Sequence, residues 1–149
     1  MQTFQYKLAK PGFVASRQDA PHEHEVILDP TGSFIVVPDL GADLLRIFAI
    51  NKTTNMLSES STYATPPGTG PRHGTFLSTG NATYLFVIAE LANTITSYSV
   101  TYTATGLSLM PVFMSGAYGV NVTVPSAAGA AEAILSVPHP PPIPSEAKS

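Results

Sequence analysis

The chain has 149 residues, enough for one domain with a core of its own, and 11% of them are charged against 44% hydrophobic. A net charge of −3 argues against a nucleic-acid partner, and no apolar run reaches the length of a membrane span. With no cysteine, disulfides and thiolate chemistry are excluded, which leaves the compartment open between cytoplasmic and secreted.

Residues 3–8 alternate, with Phe4, Tyr6 and Leu8 against Gln5 and Lys7, and predict a half-buried strand. This stretch lacks the long apolar centre of a signal peptide. Pro11-Gly12 ends it, and a polar connector with Arg17 and Gln18 leads to Pro21-His22-Glu23-His24. From there the pattern predicts four short antiparallel strands, at about 24–28, 34–39, 44–51 and 57–63. Pro30 and Gly32, then Gly41, then Asn51 and Asn55 mark the turns. The second of these strands is nearly uniformly apolar, as expected where both faces of a sheet are covered.

A second segment of the same design opens at Pro71-Arg72-His73, about fifty residues on. His24 matches His73, Asp39 matches Glu90, and Phe48 matches Tyr98, the last two being read as core. The connector Pro66-Pro67-Gly68-Thr69-Gly70 reads as a turn; no Gly-Lys-Ser/Thr follows, so it is not a phosphate loop. A third copy begins at Glu132-Ala133-Ile134-Leu135-Ser136, matching Glu25-Val26-Ile27-Leu28-Asp29, and is expected to form a strand. It then gives way to a Pro-rich tail that cannot pair in a sheet.

A repeat of this length, built from four short strands, reads as a β-propeller blade. The expected fold class is all-β: about two complete antiparallel blades plus flanking strands of an incomplete propeller. On this reading residues 1–20 end a preceding blade, 21–70 and 71–118 are blades, 119–137 start another, and 138–149 are the tail. Open blade faces would then favour self-association. Three glycosylation sequons, at Asn51, Asn81 and Asn121, fall in expected turns or loops and keep a secreted glycoprotein in view.

Arg17-Gln18, Pro21-His22-Glu23-His24, Asp29 through Asp43, Gly70-Pro71-Arg72-His73, Ala89-Glu90-Leu91 and Ala130-Ala131-Glu132 resemble, in this order, the seven-bladed β-propeller lactonases. That family includes the propeller-type 6-phosphogluconolactonases and the fungal 3-carboxy-cis,cis-muconate lactonising enzymes. The resemblance implies a lactonase-type hydrolase or a lactonising cyclo-isomerase for a small anionic lactone or carboxylate; no cofactor and no metal are expected. A whole member has seven blades, so the sequence is expected to be a portion of a longer propeller. The arginine that the family places after the next blade's second strand has no counterpart in it.

In a propeller the inner strands line a central channel, and their ends form its mouth. Alternation puts His22 and His24 on one face, and the repeat brings Arg72 and His73 to the neighbouring position, with Asp39 and Glu90 closing the second strands. Opening a lactone ring needs a proton carrier and a cation for the developing carboxylate. His24 or Glu90 is expected to carry the proton and Arg72 to anchor the substrate, with His22, His73 and Asp39 binding it. The resemblance points to the same catalytic set of His24, Arg72 and Glu90.

Each residue also has a plainer reading. The histidines would bond backbone groups, Arg72 would tie blades through Asp39 or Glu90, and Asp39 and Asp43 would cap turns. The His22-x-His24 spacing suggests zinc, but the sequence shows no third and fourth ligand beside it. A non-catalytic propeller fragment, as a secreted glycoprotein or interaction module, is the alternative function.

Overall fold

The computed structural model describes residues 1–103, 106–119 and 122–136. Its strands are β1 (Ile27–Leu28), β2 (Phe34–Asp39), β3 (Leu44–Ile50) and β4 (Leu57–Ala64), followed by β5 (Pro71–Thr79), β6 (Ala82–Ala89), β7 (Thr94–Thr103) and β8 (Gly106–Gly116). They form two four-stranded antiparallel sheets, ordered β1-β2-β3-β4 and β5-β6-β7-β8, each holding one copy of the repeat. The described residues contain no helix, and so none long and apolar enough to cross a membrane.

Turn chemistry explains the hairpins. The Asp29 carboxylate accepts from the amides of Thr31, Ser33 and Phe34, an Asx-type turn that Gly32 completes at φ 63°. Asn55 and Asp43 adopt the left-handed region, and Asn93 repeats the Asp43 conformation in the second copy. These last two also hold the connectors. Asp43 accepts from the amides of Gly68 and Gly70 at 2.7 and 2.8 Å, and Asn93 donates to the Ala128 carbonyl at 2.9 Å.

The core lies between the sheets. Ile27, Val36, Leu45 and Ile47 from the first meet Leu85, Val87, Tyr98, Leu107 and Leu109 from the second, with Tyr63 edge-on to Tyr98 at 5.2 Å. Gly74 permits this approach, since a Cβ there would stand 2.6 Å from the Phe86 carbonyl oxygen and 3.1 Å from Ile27. Phe48 and Tyr98, matched in sequence, are both buried, and each sits beside a bulge whose extra residue, Ser60 or Val112, belongs to the fourth strand of its sheet.

Three expectations are corrected. Residues 3–8 alternate in burial as expected but form no strand. They lie across the outer face of the first sheet, Phe4 edge-on to Phe48 at 4.9 Å and the Arg46 guanidinium 3.6 Å over the Tyr6 ring. The first strand of the first copy shrinks to two residues, preceded by a lone bridge from Glu23 to Asp39. Residues 132–136 form no strand either; 132–135 line a groove on the outer face of the second sheet, with Leu77, Phe86 and Ile88. The Pro-rich tail and Asn121 lie outside the described residues.

Pairing also corrects the register of the repeat. Asp39 and Ala89 both end a second strand and pair with the first residue of the third, Leu44 and Thr94. Glu23 bridges Asp39 and Pro71 pairs with Ala89. Glu23 is therefore level with Pro71, His24 with Arg72, Glu25 with His73, and Leu40 with Glu90.

Candidate active site

Arg72 enters the site through a backbone irregularity. Pro71 pairs with Ala89 and His73 with Ile88, so Arg72 is the extra residue of a β-bulge and has no partner across the ladder. Bulges re-aim a side chain, and here the guanidinium turns toward the end of β6. Its Nη1 donates to Glu90 Oε2, while its Nε is shut from solvent without a hydrogen-bond partner.

Glu90 is held from two sides. Arg17 Nη2 donates to its other oxygen, Oε1, at 2.5 Å. Gly129 lies against the same side chain, where a Cβ would stand 2.9 Å from Glu90 Cγ. Burial works to raise the Glu90 carboxyl, but the hydrogen bonds and charges of Arg17 and Arg72 prevail and hold it below its ordinary value. A cleft of about 290 Å³ opens beside it, lined by Arg17, Glu90, Leu91 and residues 126–129.

His24 stands at the exposed rim, its ring 6.3 Å from that of His73. Partial burial and then the charge of Arg72 push its imidazole below the ordinary histidine value, with Glu90 opposing them. His73 faces carboxylates: its Nδ1 lies 3.6 Å from Glu25 Oε2 and 3.6 Å from Glu132 Oε1.

His24, Arg72, His73 and Glu90 thus come together, and two expected members do not join them. His22 turns its Nε2 onto Asp19 Oδ1 at 3.0 Å, so the His-x-His pair does not converge. Asp39 is fully buried, its Oδ1 accepting from the amides of His22 and Ala42 and its Oδ2 from Arg46. It holds the fold and is withdrawn from the substrate-binding set. Among the described residues Arg72 pairs with Glu90, next to β6 of its own sheet, rather than tying two blades together.

Sequence reasoning passed over Arg17 as the second partner of Glu90, and Glu25 and Glu132 as the carboxylates around His73. Arg17 lies in a connector with no periodicity. A signal did exist for the other two, because Glu25 and Glu132 open matching copies of the repeat.

A family model described as "Lactonase, 7-bladed beta-propeller" matches residues 1–136. The probable 6-phosphogluconolactonase of Arthroderma benhamiae is 39% identical over 132 residues, which make 83% of this chain and 33% of that protein. The 6-phosphogluconolactonase of Bacillus subtilis is 33% identical over 88 residues, 59% of this chain and 24% of that one. Among solved structures, a putative 6-phosphogluconolactonase from Bacteroides fragilis superposes with a TM-score of 0.65 at 28% identity, covering 78% of this chain and 33% of that one. The chain spans a quarter to a third of the length of these relatives.

Proposed function

Because the chain belongs to the seven-bladed β-propeller lactonase family, we propose that it carries part of a lactonase site for a small anionic lactone such as 6-phosphogluconolactone. The observation that carries this reading is the row of Arg17, Glu90 and Arg72, bonded in sequence, with His24 at its open side. Arg72 anchors the substrate's anionic group or the oxyanion that develops at the carbonyl. His24 takes a proton from the attacking water and returns it to the ring oxygen as the carbon–oxygen bond breaks, leaving a hydroxy acid whose carboxyl proton is released to solvent. Glu90, engaged by two guanidiniums, is a positioning residue more than a base. His73 borders the same mouth. Closing a ring on a muconate-type carboxylate would be a different step, in which an oxygen of a carboxylate held by Arg72 adds across a carbon–carbon double bond and protonated His24 delivers a proton to the neighbouring carbon.

The test is hydrolysis of 6-phosphogluconolactone by the purified chain, followed with Arg72→Ala and with His24→Ala. Activity above background that survives both substitutions would refute the assignment.

A second reading rests on a separate observation. Asn51 and Asn81 are exposed on turns at the strand ends opposite to His24 and Arg72. Glycans there would leave the mouth clear, which suits a secreted protein, catalytic or not. A cooperatively folded chain with no lactone turnover would favour the non-catalytic module.

A further inference from the structure

We infer that Glu25, His73 and Glu132 form a divalent-cation site, and that zinc is the ion their chemistry fits. The three residues belong together by construction. Ladder pairing puts Glu25 level with His73, and Glu132 opens the third copy of the repeat as Glu25 opens the first. One position of the repeat, taken from three successive copies, therefore converges on one point.

The geometry is that of ligands around an ion. The His73 nitrogen lies 3.6 Å from each carboxylate oxygen, and all three ligand atoms fall within 4.8 Å of one another. At 3.6 Å neither contact is a hydrogen bond. Zinc bonds of 2.0–2.2 Å at tetrahedral angles separate neighbouring ligand atoms by roughly 3.4 Å, close to the spacing observed.

An independent observation points the same way. His73 Nδ1 is buried and has no hydrogen-bond partner, an arrangement that costs free energy unless something fills the lone pair. Glu25 is oriented from behind, its Oε2 accepting from the Gly74 amide at 2.8 Å, which leaves lone pairs free for an ion. Two carboxylates would neutralise the dication, and the imidazole selects zinc over calcium or magnesium. Three protein ligands leave a fourth position for water. The consequence is structural and does not depend on the lactonase reading: the ion would clip the segment around Glu132 to β5, through His73, and to the chain leading into β1, through Glu25.

Isothermal titration of the full, untagged chain with zinc chloride tests this, with magnesium and calcium chlorides titrated alongside. One zinc per chain is expected, with His73→Gln abolishing binding and Glu132→Gln weakening it at least tenfold. Glu132 lies outside both sheets and its side chain is 55% exposed, so Glu132→Gln probes the site without disturbing the core. Zinc should also slow proteolysis between residues 122 and 136 in the parent chain and not in Glu132→Gln. Absence of zinc binding would overturn the site and leave His73 as an ion-pairing group between two carboxylates. Binding that persists in both variants, or that His22→Ala removes, would overturn it equally.

Discussion

Arg72 reaches Glu90 because it is the unpaired residue of the bulge between Pro71 and His73, and a regular ladder would have paired it with a residue of β6 instead. The bulge sets Arg72 in line with Arg17 across one carboxylate, leaving the buried Arg72 Nε as a donor to spare. Geometry of this kind depends on the planar fork of a guanidinium, which an ammonium does not reproduce.

Arg72→Ala is accordingly expected to lower lactone turnover by about 100-fold or more, the usual loss on removing one preorganised donor for a developing oxyanion. Arg72→Lys should restore charge but little rate. Steady-state kinetics on the two variants, with circular dichroism to confirm folding, decide the matter. Equal rates for Arg72→Lys and the parent chain would mean that only charge is needed there.

Glu90 gives a pH dependence whose sign can be worked out. Its folded value is depressed below the ordinary 4.5, through the two arginines acting against burial. The stabilisation is therefore present in full above the unfolded value and is lost as pH falls through the folded one. Urea unfolding between about pH 6 and pH 3 should show stability falling in the acid limb, with the limb shallower in Glu90→Gln. An unchanged acid limb in that variant would show that Arg17 and Arg72 add nothing to folding through Glu90.

Asp39 and Arg46 form a buried pair, Oδ2 to Nη2 at 2.6 Å, with Glu23 a further 3.8 Å contact to the same guanidinium. Removing one partner of such a pair strands the other charge, so Asp39→Asn should cost roughly 3–5 kcal/mol. Loss of activity in this variant should follow the folded fraction, with KM unchanged. A raised KM in fully folded protein would return Asp39 to the substrate site.

That residue also marks how far the sequence could be read. The strands of the two full copies were legible: an apolar run between turn residues located β2 at Phe34–Asp39, the bounds the structure shows, although the strands expected at 3–8 and 132–136 do not form. Register was not. Matching by residue type set Asp39 against Glu90 and His24 against His73, whereas pairing sets Asp39 level with Ala89 and His24 level with Arg72. A one-residue slip in a strand reverses the face presented. Asp39 therefore turns to Arg46 on the outer face that Tyr6 covers, where it is buried, and Glu90 turns toward Arg17 and Arg72. The bulge at Arg72 leaves no mark in composition or periodicity. The covering of the first sheet by Phe4 and Tyr6 was half legible: their alternation was real, but they meet side chains and no strand edge.

The last expectation concerns the chain in isolation. Each outer sheet face is partly covered by a chain segment, the first by Phe4 and Tyr6 and the second by residues 132–135. The second cover is thin, since Ile134 is 84% exposed. The edge strand β8 adds Met110, Val112, Phe113 and Met114, all exposed, on a stretch without a single charge. Long uncharged edges and contiguous apolar surface are what natural sheets avoid, because both invite pairing with a second chain. Pro111 blocks one hydrogen bond of that edge and leaves the rest available. The isolated chain is therefore expected to self-associate at micromolar concentration. Sedimentation velocity checks this, and Phe113→Lys combined with Ile134→Lys should shift the distribution toward monomer. A monodisperse monomer with a cooperative melt in the parent chain would show that the two segments already cover enough of the faces, and that β8 is not an adhesive edge.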